Sequence, residues 1–218
     1  MAIGKQEVLR TLEETGIVAV IRIDDPAKLQ EVSLALCEGG VRMVEITMTV
    51  PGALQIIASV SKALGDAVFM GAGTVLDADT ARMAILAGAR FIVGPSFDPQ
   101  TIAMCKLYDT AVMPGCLTPT EVVNAWKAGA DVVKIFPGRV GTPEYFQDLK
   151  GPLPHIRMMP TGNVDLITAP KYIKAGAVAV GVGKALVDVK ALKAGQFGAI
   201  TENARAFCGM VAAARGEA

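Results

Sequence analysis

The chain has 218 residues, of which 52% are hydrophobic, 19% are charged and 5% are aromatic. Lysine and arginine together number 21, as do aspartate and glutamate, so no net charge favours binding to nucleic acid or to an anionic membrane. The apolar runs are too short to span a membrane, and four scattered cysteines with one histidine make a metal site unexpected. The N-terminal segment lacks the apolar core of an export signal, so we expect a cytoplasmic protein with reduced thiols.

Strand and helix patterns alternate along the chain after an amphipathic N-terminal helix in residues 1–16. Eight segments each contain an apolar run of strand length, and they lie at 16–23, 38–46, 67–73, 86–94, 110–115, 127–135, 156–162 and 174–182. Amphipathic helical patterns follow these strands at 26–38, 51–64, 77–87, 98–107, 118–128, 143–150, 165–175 and 185–192. Four of the helices begin where Asp or Thr precedes proline, as in "DDPAK" and "LTPTE", which is the expected start of a helix.

Strands that are apolar on both faces and alternate with helices predict a parallel sheet covered by helices. Eight such units in about 200 residues predict an α/β fold of the (β/α)8 TIM barrel type, with an extra N-terminal helix. A doubly wound open sheet is the alternative, although no Gly-x-Gly-x-x-Gly turn follows the first strand. No Pro/Gly/Ser-rich linker divides the chain, so we expect residues 1–218 to form one domain.

The polar side chains of this predicted barrel lie where its strands end. In such a barrel the chemistry takes place at the C-terminal ends of the strands. The residues there are Arg22, Glu45, Thr47, 71–74, Pro95, Ser96, 114–116, Lys134, Phe136, Pro137, 161–163 and 181–184. We expect them to converge on one mouth.

Lys134 is the predicted nucleophile, because it follows the apolar residues Val132 and Val133. Burial disfavours the ammonium form, and a neutral amine can attack a ketone to form a Schiff base. The alternative is that the Lys134 amine reaches solvent from the strand end. Glu45 ends "VRMVEI" as Lys134 ends "DVVKI", and a carboxylate in such surroundings suits a proton shuttle. Its alternative role is a structural ion pair with Lys134.

Two glycine turns, "PTGNV" at 160–164 and "GVGKAL" at 181–186, end the seventh and eighth strands. Backbone N–H groups at these strand ends form the usual phosphate site of the barrel architecture. The alternative is that they are ordinary loop glycines. Lys184 would add a positive charge to a bound phosphate, or would face water.

Six segments taken together resemble the 2-keto-3-deoxy-6-phosphogluconate (KDPG) / 4-hydroxy-2-oxoglutarate (KHG) aldolases. The segments are "VEIT" (44–47), "GAGTV" (71–75), "VGPSFDP" (93–99), "MPGCLTPTE" (113–121), "VKIFPG" (133–138) and "PTGNV" (160–164). The resemblance runs in order from about residue 10 to residue 213. It implies a class I aldolase on a (β/α)8 barrel, typically a homotrimer, that uses no metal and no organic cofactor.

The resemblance also implies a keto-acid substrate, which is split into pyruvate and glyceraldehyde 3-phosphate or, for 4-hydroxy-2-oxoglutarate, into pyruvate and glyoxylate. By resemblance, Lys134 forms the imine and Glu45 moves protons. The pyruvoyl end of the substrate would meet Arg22, Thr74, Pro95 and Phe136. The phosphate would rest on Gly162, Asn163, Gly183 and Lys184.

Three residues depart from the pattern common in this family, namely Thr49, Asn163 and Lys184, where many members have arginine, glycine and serine. They leave the reaction class unchanged but leave the substrate open between the gluco and galacto phosphate esters and 4-hydroxy-2-oxoglutarate. Two other classes also stay open. One is a phosphosugar isomerase, epimerase or synthase, and the other is a barrel that binds a phosphorylated metabolite without turnover.

Overall fold

The computed structural model describes residues 4–216 as an alternation of strands and helices. The strands are β1 (Ile17–Ile21), β2 (Met43–Thr47), β3 (Phe69–Gly73), β4 (Phe91–Val93), β5 (Ala111–Met113), β6 (Gly115–Cys116), β7 (Val133–Ile135), β8 (Met158–Pro160) and β9 (Val180–Val182). The helices are α1 (Lys5–Thr15), α2 (Pro26–Glu38), α3 (Ala53–Leu64), α4 (Ala78–Leu86), α5 (Pro99–Leu107), α6 (Pro119–Ala128), α7 (Pro143–Lys150), α8 (Ala169–Lys174), α9 (Val189–Lys193) and α10 (Phe197–Arg215). The N-terminal helix predicted for residues 1–16 is confirmed as α1 where the structure describes the chain, and residues 1–3 of that prediction lie outside the described residues.

Each of the eight predicted strand segments contains a strand, but the fifth, at 110–115, is divided by Pro114 into β5 and β6. Proline has no backbone N–H group and cannot donate a hydrogen bond to a ladder. The Pro114 carbonyl still accepts a hydrogen bond from the Lys134 amide at 2.9 Å. The chain therefore leaves one sheet at β5 and enters the next at β6.

The predicted helix positions are confirmed, although two helices near the C-terminal end begin later than predicted. Helix α8 begins at Ala169 instead of 165, because Asp165 and Thr168 form a turn in which the side chain of each accepts a hydrogen bond from the other's backbone amide. Helix α9 begins at 189 instead of 185, because the Asp188 carboxylate accepts hydrogen bonds from two amides of the first turn. At α9 a capping side chain thus determines the start of the helix, whereas at α8 the preceding turn does, since the side chain of the N-cap Thr168 makes no capping hydrogen bond.

The hydrogen-bond ladders form a curled parallel sheet in two parts. Six strands pair in the order β5-β4-β3-β2-β1-β9, and three pair in the order β6-β7-β8. An isolated parallel bridge between Thr161 and Gly181 joins the end of β8 to β9. The ladders by themselves do not pair all eight predicted strands in one ring, because Pro114 interrupts one strand and an isolated residue pair connects β8 to β9.

Side chains on the two faces of the sheet belong to two apolar clusters, since successive strand residues point to opposite faces. One cluster, which includes Val44 and Ile135, lies between the strands and the surrounding helices. The other includes Met43 and Met159 together with residues of α1, the one helix that contributes to it. This second cluster therefore lies on the concave inner face of the curled sheet.

Helix α1 closes the N-terminal end of the sheet, where its Leu12 is fully buried in the inner cluster. Lys5 of α1 forms an ion pair with Asp131, with 3.1 Å between Lys5 Nζ and Asp131 Oδ1. The second Asp131 oxygen accepts a hydrogen bond from the Val112 amide at 3.0 Å. We call this end, with Lys5 and Asp131, the base, and the opposite end, where the strands finish, the mouth.

Candidate active site

The side chains of Glu45 and Lys134 lie on the inner face of the sheet, near the mouth. Glu45 follows the inner-cluster residue Met43 by two positions on β2, and Lys134 on β7 follows by two positions the inner-cluster residue Val132, which directly precedes that strand. A period of two keeps each pair on the same face of its strand. Glu45 is 1% exposed and Lys134 is 5% exposed. The prediction that Lys134 reaches solvent from its strand end, which was the alternative, is wrong.

Burial shifts the protonation equilibria of both groups towards their neutral forms. Desolvation raises the pKa of Glu45, against the opposing effects of the positive charges of Lys134 and Arg22. Desolvation lowers the pKa of Lys134, and Arg22 lowers it further, while the negative charge of Glu45 opposes both. These are the shifts that give a nucleophilic amine and a proton carrier near neutral pH.

The Lys134 amine makes no hydrogen bond and no ion pair with any residue that the structure describes. Its nitrogen lies 5.1 Å from the centre of the Phe136 ring, within the range of a cation–π interaction. One carboxylate oxygen of Glu45, Oε2, is also buried without a hydrogen-bond partner among the described residues. The structural ion pair, which was the alternative reading of Glu45, is therefore not formed, and both groups retain free hydrogen-bonding capacity for a ligand.

The Glu45 carboxylate lies against the backbone of the neighbouring strand β3. A Cβ atom placed on Gly73 would be 1.7 Å from Glu45 Oε1. The side chain thus occupies space that every other amino acid at position 73 would fill. The sequence places Gly73 at a strand end but indicates no role for it, because contacts between neighbouring strands cannot be predicted from the order of residues along the chain.

Arg22, Gly183 and Lys184 line one cleft of about 220 Å³ between the ends of β1 and β9. Its remaining wall is aliphatic and includes Val187 and Leu192. Arg22 and Lys184 are both exposed at the rim. Two cations beside an apolar wall suit the anionic end of a small molecule.

Gly162 and Asn163, the other predicted phosphate ligands, lie at the end of β8 and do not line this cleft. Both have left-handed backbone conformations, with φ of 92° and 55°. Gly162 approaches Gly138 so closely that a Cβ on Gly138 would be 1.9 Å from the Gly162 oxygen. A Cβ on Gly162 would in turn lie 3.8 Å from the Phe136 ring. The turn after β8 is therefore packed against the loop that follows Lys134.

Thr74 and Pro95 follow β3 and β4 at the mouth, and both are partly buried. Thr74 has φ of 57°, a left-handed conformation that is rare and strained for a β-branched residue. The Pro95 backbone packs against Gly115, where a Cβ would be 2.3 Å away. Strained backbone of this kind is concentrated at binding sites, which agrees with the predicted place of Thr74 in the pocket.

Three further hydroxyl groups at the mouth were not assigned to the site. The Thr161 hydroxyl is buried and has no hydrogen-bond partner among the described residues. The Thr47 and Thr49 hydroxyls are 2.9 Å apart. Thr161 follows Met159, and Thr47 follows Glu45, by two positions, so strand alternation would have placed both on the inner face.

The described residues contain no cluster of three or more His, Cys, Asp or Glu side chains that could hold a metal ion. None of the helices described here is long and apolar enough to cross a membrane. The expectation that no metal or cofactor takes part stays a prediction.

A parallel α/β sheet with a buried amine, a buried carboxyl group and cations at the ends of its strands defines an enzyme site for a small anionic substrate. The family model for KDPG and KHG aldolases matches residues 8–203. The chain belongs to the KDPG and KHG aldolase family, whose members are carbon–carbon lyases.

Individual relatives support this membership. The 2-dehydro-3-deoxy-phosphogluconate aldolase of Treponema pallidum (strain Nichols) is 31% identical over 89% of this chain and 92% of its own. The 2-dehydro-3-deoxy-6-phosphogalactonate aldolase of Escherichia coli (strain K12) is 33% identical over 78% of this chain and 83% of its own. The crystal structure of the 2-keto-3-deoxy-6-phosphogluconate aldolase of Zymomonas mobilis ZM4 with 3-phosphoglycerate has a TM-score of 0.82 and 26% identity, covering 93% of this chain and 97% of that one.

Proposed function

We propose that this chain is a class I aldolase that cleaves 2-dehydro-3-deoxy-6-phosphogluconate to pyruvate and glyceraldehyde 3-phosphate through an imine on Lys134. The observation that carries the proposal is the buried Lys134 amine, which has a lowered pKa and no partner in the part of the chain that is described. Such an amine is neutral over a wider pH range than a surface lysine and is free to attack a carbonyl carbon.

The reaction begins when the neutral amine of Lys134 attacks the C2 carbonyl of the substrate. Glu45 gives a proton to the oxygen, and loss of water from the carbinolamine leaves a protonated imine. Glu45 then takes the proton of the C4 hydroxyl, the C3–C4 bond breaks, and its electron pair moves into the imine to form an enamine. The aldehyde leaves, C3 is protonated, and hydrolysis releases pyruvate and the free amine.

The pyruvoyl end of the substrate would meet Arg22 and Thr74, with Pro95 and Phe136 as walls of the pocket. Phe136 is well suited to this role, because its ring lies beside the Lys134 nitrogen. The left-handed backbone at Thr74 is a conformation that recurs in anion-binding turns, which supports a place for the carboxylate beside it.

The phosphate would be held by Gly162, Asn163, Gly183 and Lys184. Gly162 and Asn163 have left-handed backbone conformations, which recur in anion-binding turns, and Lys184 supplies a positive charge at the end of the neighbouring strand. The relative from Zymomonas mobilis, which was crystallised with a phosphate ester, supports a site for such a group.

Two other aldol substrates fit the same chemistry, namely the galacto epimer and unphosphorylated 4-hydroxy-2-oxoglutarate. The relative from Escherichia coli that is 33% identical is an aldolase for the galacto compound. The family model includes KHG aldolases. Because the imine steps are common to all three substrates, the choice among them depends on contacts with C4, C5 and the distal anion.

The test is to incubate the protein with pyruvate and borohydride and to map the modified peptide. We expect a stable mass gain on Lys134, whereas no adduct together with tight binding of phosphate esters would support an isomerase or a binding protein. Cleavage rates on the three substrates then rank them. Lys184→Gln should raise KM for the phosphate esters by about 3–10-fold, and a smaller effect is expected for 4-hydroxy-2-oxoglutarate.

We also propose that the curled sheet closes into a single-domain (β/α)8 barrel. The supporting contacts are the Thr161–Gly181 bridge on one side and the hydrogen bond between the Lys134 amide and Pro114 on the other. The cytoplasm is the proposed location, since Cys37, Cys105 and the other two cysteines are free thiols.

The proposed homotrimer would use an apolar patch on α4 and at the end of α5. Met83, Leu86, Leu107 and Tyr108 are between 36% and 78% exposed there. A patch of this kind is typical of an interface between subunits. Sedimentation analysis of the protein and of Leu86→Glu is the test, and an unaltered monomer in both would contradict the trimer.

A further inference from the structure

Glu45 occupies space that is left free by the absence of a side chain on the strand beside it. A Cβ atom on Gly73 would lie 1.7 Å from Glu45 Oε1, 2.3 Å from Cδ and 2.6 Å from Cγ. Ordinary van der Waals contact begins at 3.4 Å. The outer half of the glutamate side chain thus rests directly on the β3 backbone.

We propose that Gly73 is the positioning residue for the Glu45 carboxylate, because its lack of a side chain lets the carboxylate rest directly against the β3 backbone on the inner face of the sheet. The inference rests on the proposed role of Glu45 as the proton carrier. It adds a reason why glycine is required at position 73, a position at which no turn demands it.

The backbone itself does not require glycine there. Gly73 is the last residue of β3 and is not among the residues with positive φ. An alanine could adopt its extended conformation without strain. The requirement for glycine at 73 therefore comes from the carboxylate beside it.

The atoms that a new methyl group would displace are the mobile end of a side chain. Glu45 Oε2 has no hydrogen-bond partner among the described residues, and no ion pair anchors the carboxylate. The side chain can therefore rotate away while the strands keep their positions. At Gly71 the situation is different, because a Cβ there would strike the buried Phe91 ring at 2.3 Å and disturb the core.

The Glu45 carboxylate must move by more than about 1 Å to accept a methyl group at position 73, and a misplacement of that size costs roughly 10²-fold in rate. We expect Gly73→Ala to lower kcat by about 10–100-fold. The KM for substrate should change less than kcat, because Arg22, Gly183 and Lys184 lie at the ends of other strands and Thr74 is the one proposed binding residue next to position 73.

A double-mutant cycle tests whether the loss acts through Glu45. The variants are Gly73→Ala, Glu45→Gln and the double variant, with Gly198→Ala as the matched control, since a Cβ on Gly198 meets no atom within 4 Å. If Gly73 positions the carboxylate, the second substitution adds little to the first, as is found for groups that act as a unit. Multiplicative losses in the double variant, or normal kcat in Gly73→Ala, would overturn the inference.

The cycle also separates this inference from the proposed function. If Glu45→Gln retains full activity, the proposed role of Glu45 fails, whatever Gly73→Ala does. If Glu45→Gln is slow and Gly73→Ala is normal, the role stands and the inference about Gly73 fails. Circular dichroism and the urea midpoint of each variant check that the fold is kept. The pH profile of kcat should also change in Gly73→Ala, a change that a loss of stability alone would not produce.

Discussion

Two lysine–carboxylate pairs lie at opposite ends of the sheet, and they differ in whether the charges meet. At the base, Lys5 and Asp131 are 3.1 Å apart, and Asp131 also accepts a hydrogen bond from a backbone amide. At the mouth, Lys134 and Glu45 are more deeply buried but form neither a hydrogen bond nor an ion pair within the described chain. A lysine and a carboxylate thus stabilise one end of the sheet and leave the other end reactive.

The difference has a simple energetic cause. Burial of a charge costs several kcal/mol unless a partner or hydrogen bonds compensate for it. At the base the ion pair and the backbone hydrogen bond supply this compensation. At the mouth it is incomplete, so the pKa of Lys134 falls and that of Glu45 rises. Incomplete compensation is what makes a neutral amine available for imine formation.

Backbone strain also differs between the mouth and the base. Thr74 at the mouth has a left-handed conformation, which costs about 1–3 kcal/mol, and Asn163 at the mouth shares this conformation as a residue type that tolerates it better. The base has one such residue in the described chain, Asp109, a residue type that tolerates this conformation well. More strain is therefore found where a ligand is expected to bind.

The largest expected effect is that of Lys134→Met, which removes the amine and keeps the volume of the side chain. We expect kcat/KM to fall by about 10⁴-fold or more, because the covalent route is lost. Borohydride trapping with pyruvate should give no adduct. Retained cleavage would contradict the conclusion that Lys134 is the reactive lysine at the mouth, and it would point to Lys184 as the reacting amine.

Glu45→Gln should have the next largest effect, because it keeps the shape of the side chain but removes its ability to exchange a proton. We expect kcat to fall by roughly 10²–10⁴-fold. Imine trapping should still occur, at a lower rate, since the amine is untouched. Rapid-quench measurement of the two steps separates them, and an unchanged kcat would show that another group moves the proton.

At the base, Lys5→Met should lower stability without altering catalysis. Asp131 would be left buried with its amide hydrogen bond but without a cation, at a cost of about 2 kcal/mol, less than for a fully buried pair. Urea unfolding measures the loss, and kcat/KM is expected to stay normal. Adding Asp131→Asn should restore part of the stability, and further destabilisation by it would contradict the ion-pair explanation.

The smallest effect expected is a shift in pH dependence. Arg22 lowers the pKa of Lys134, so Arg22→Gln should raise it, and the amine will then become neutral at a higher pH. The acid limb of the borohydride trapping rate at saturating pyruvate should move to higher pH. Lys184→Gln is the matched control, since Lys184 does not contribute to the shift at Lys134, and an equal movement in both variants would mean that general surface charge is responsible.

Most of the secondary structure could be predicted from the chain order. Apolar runs of strand length and capping residues before proline gave the strands and the helix starts, because both signals act over a few residues. The predicted start was wrong where a capping side chain lies further along the chain than the first residue of the apolar pattern. Asp188, which caps α9, is an example. The division of the fifth strand at Pro114 followed from the missing N–H group, a signal that was present in the sequence and not used.

The amino-acid sequence by itself determined that Glu45 and Lys134 would both face inwards at strand ends, because alternation along a strand is a local property. Tertiary structure alone decided that the two charges do not pair, that Gly73 makes room for the carboxylate, and that Arg22 shares a cleft with Lys184. Those outcomes depend on distances between strands that are far apart in the chain. Desolvation, which sets the protonation of the amine, depends on everything packed around it.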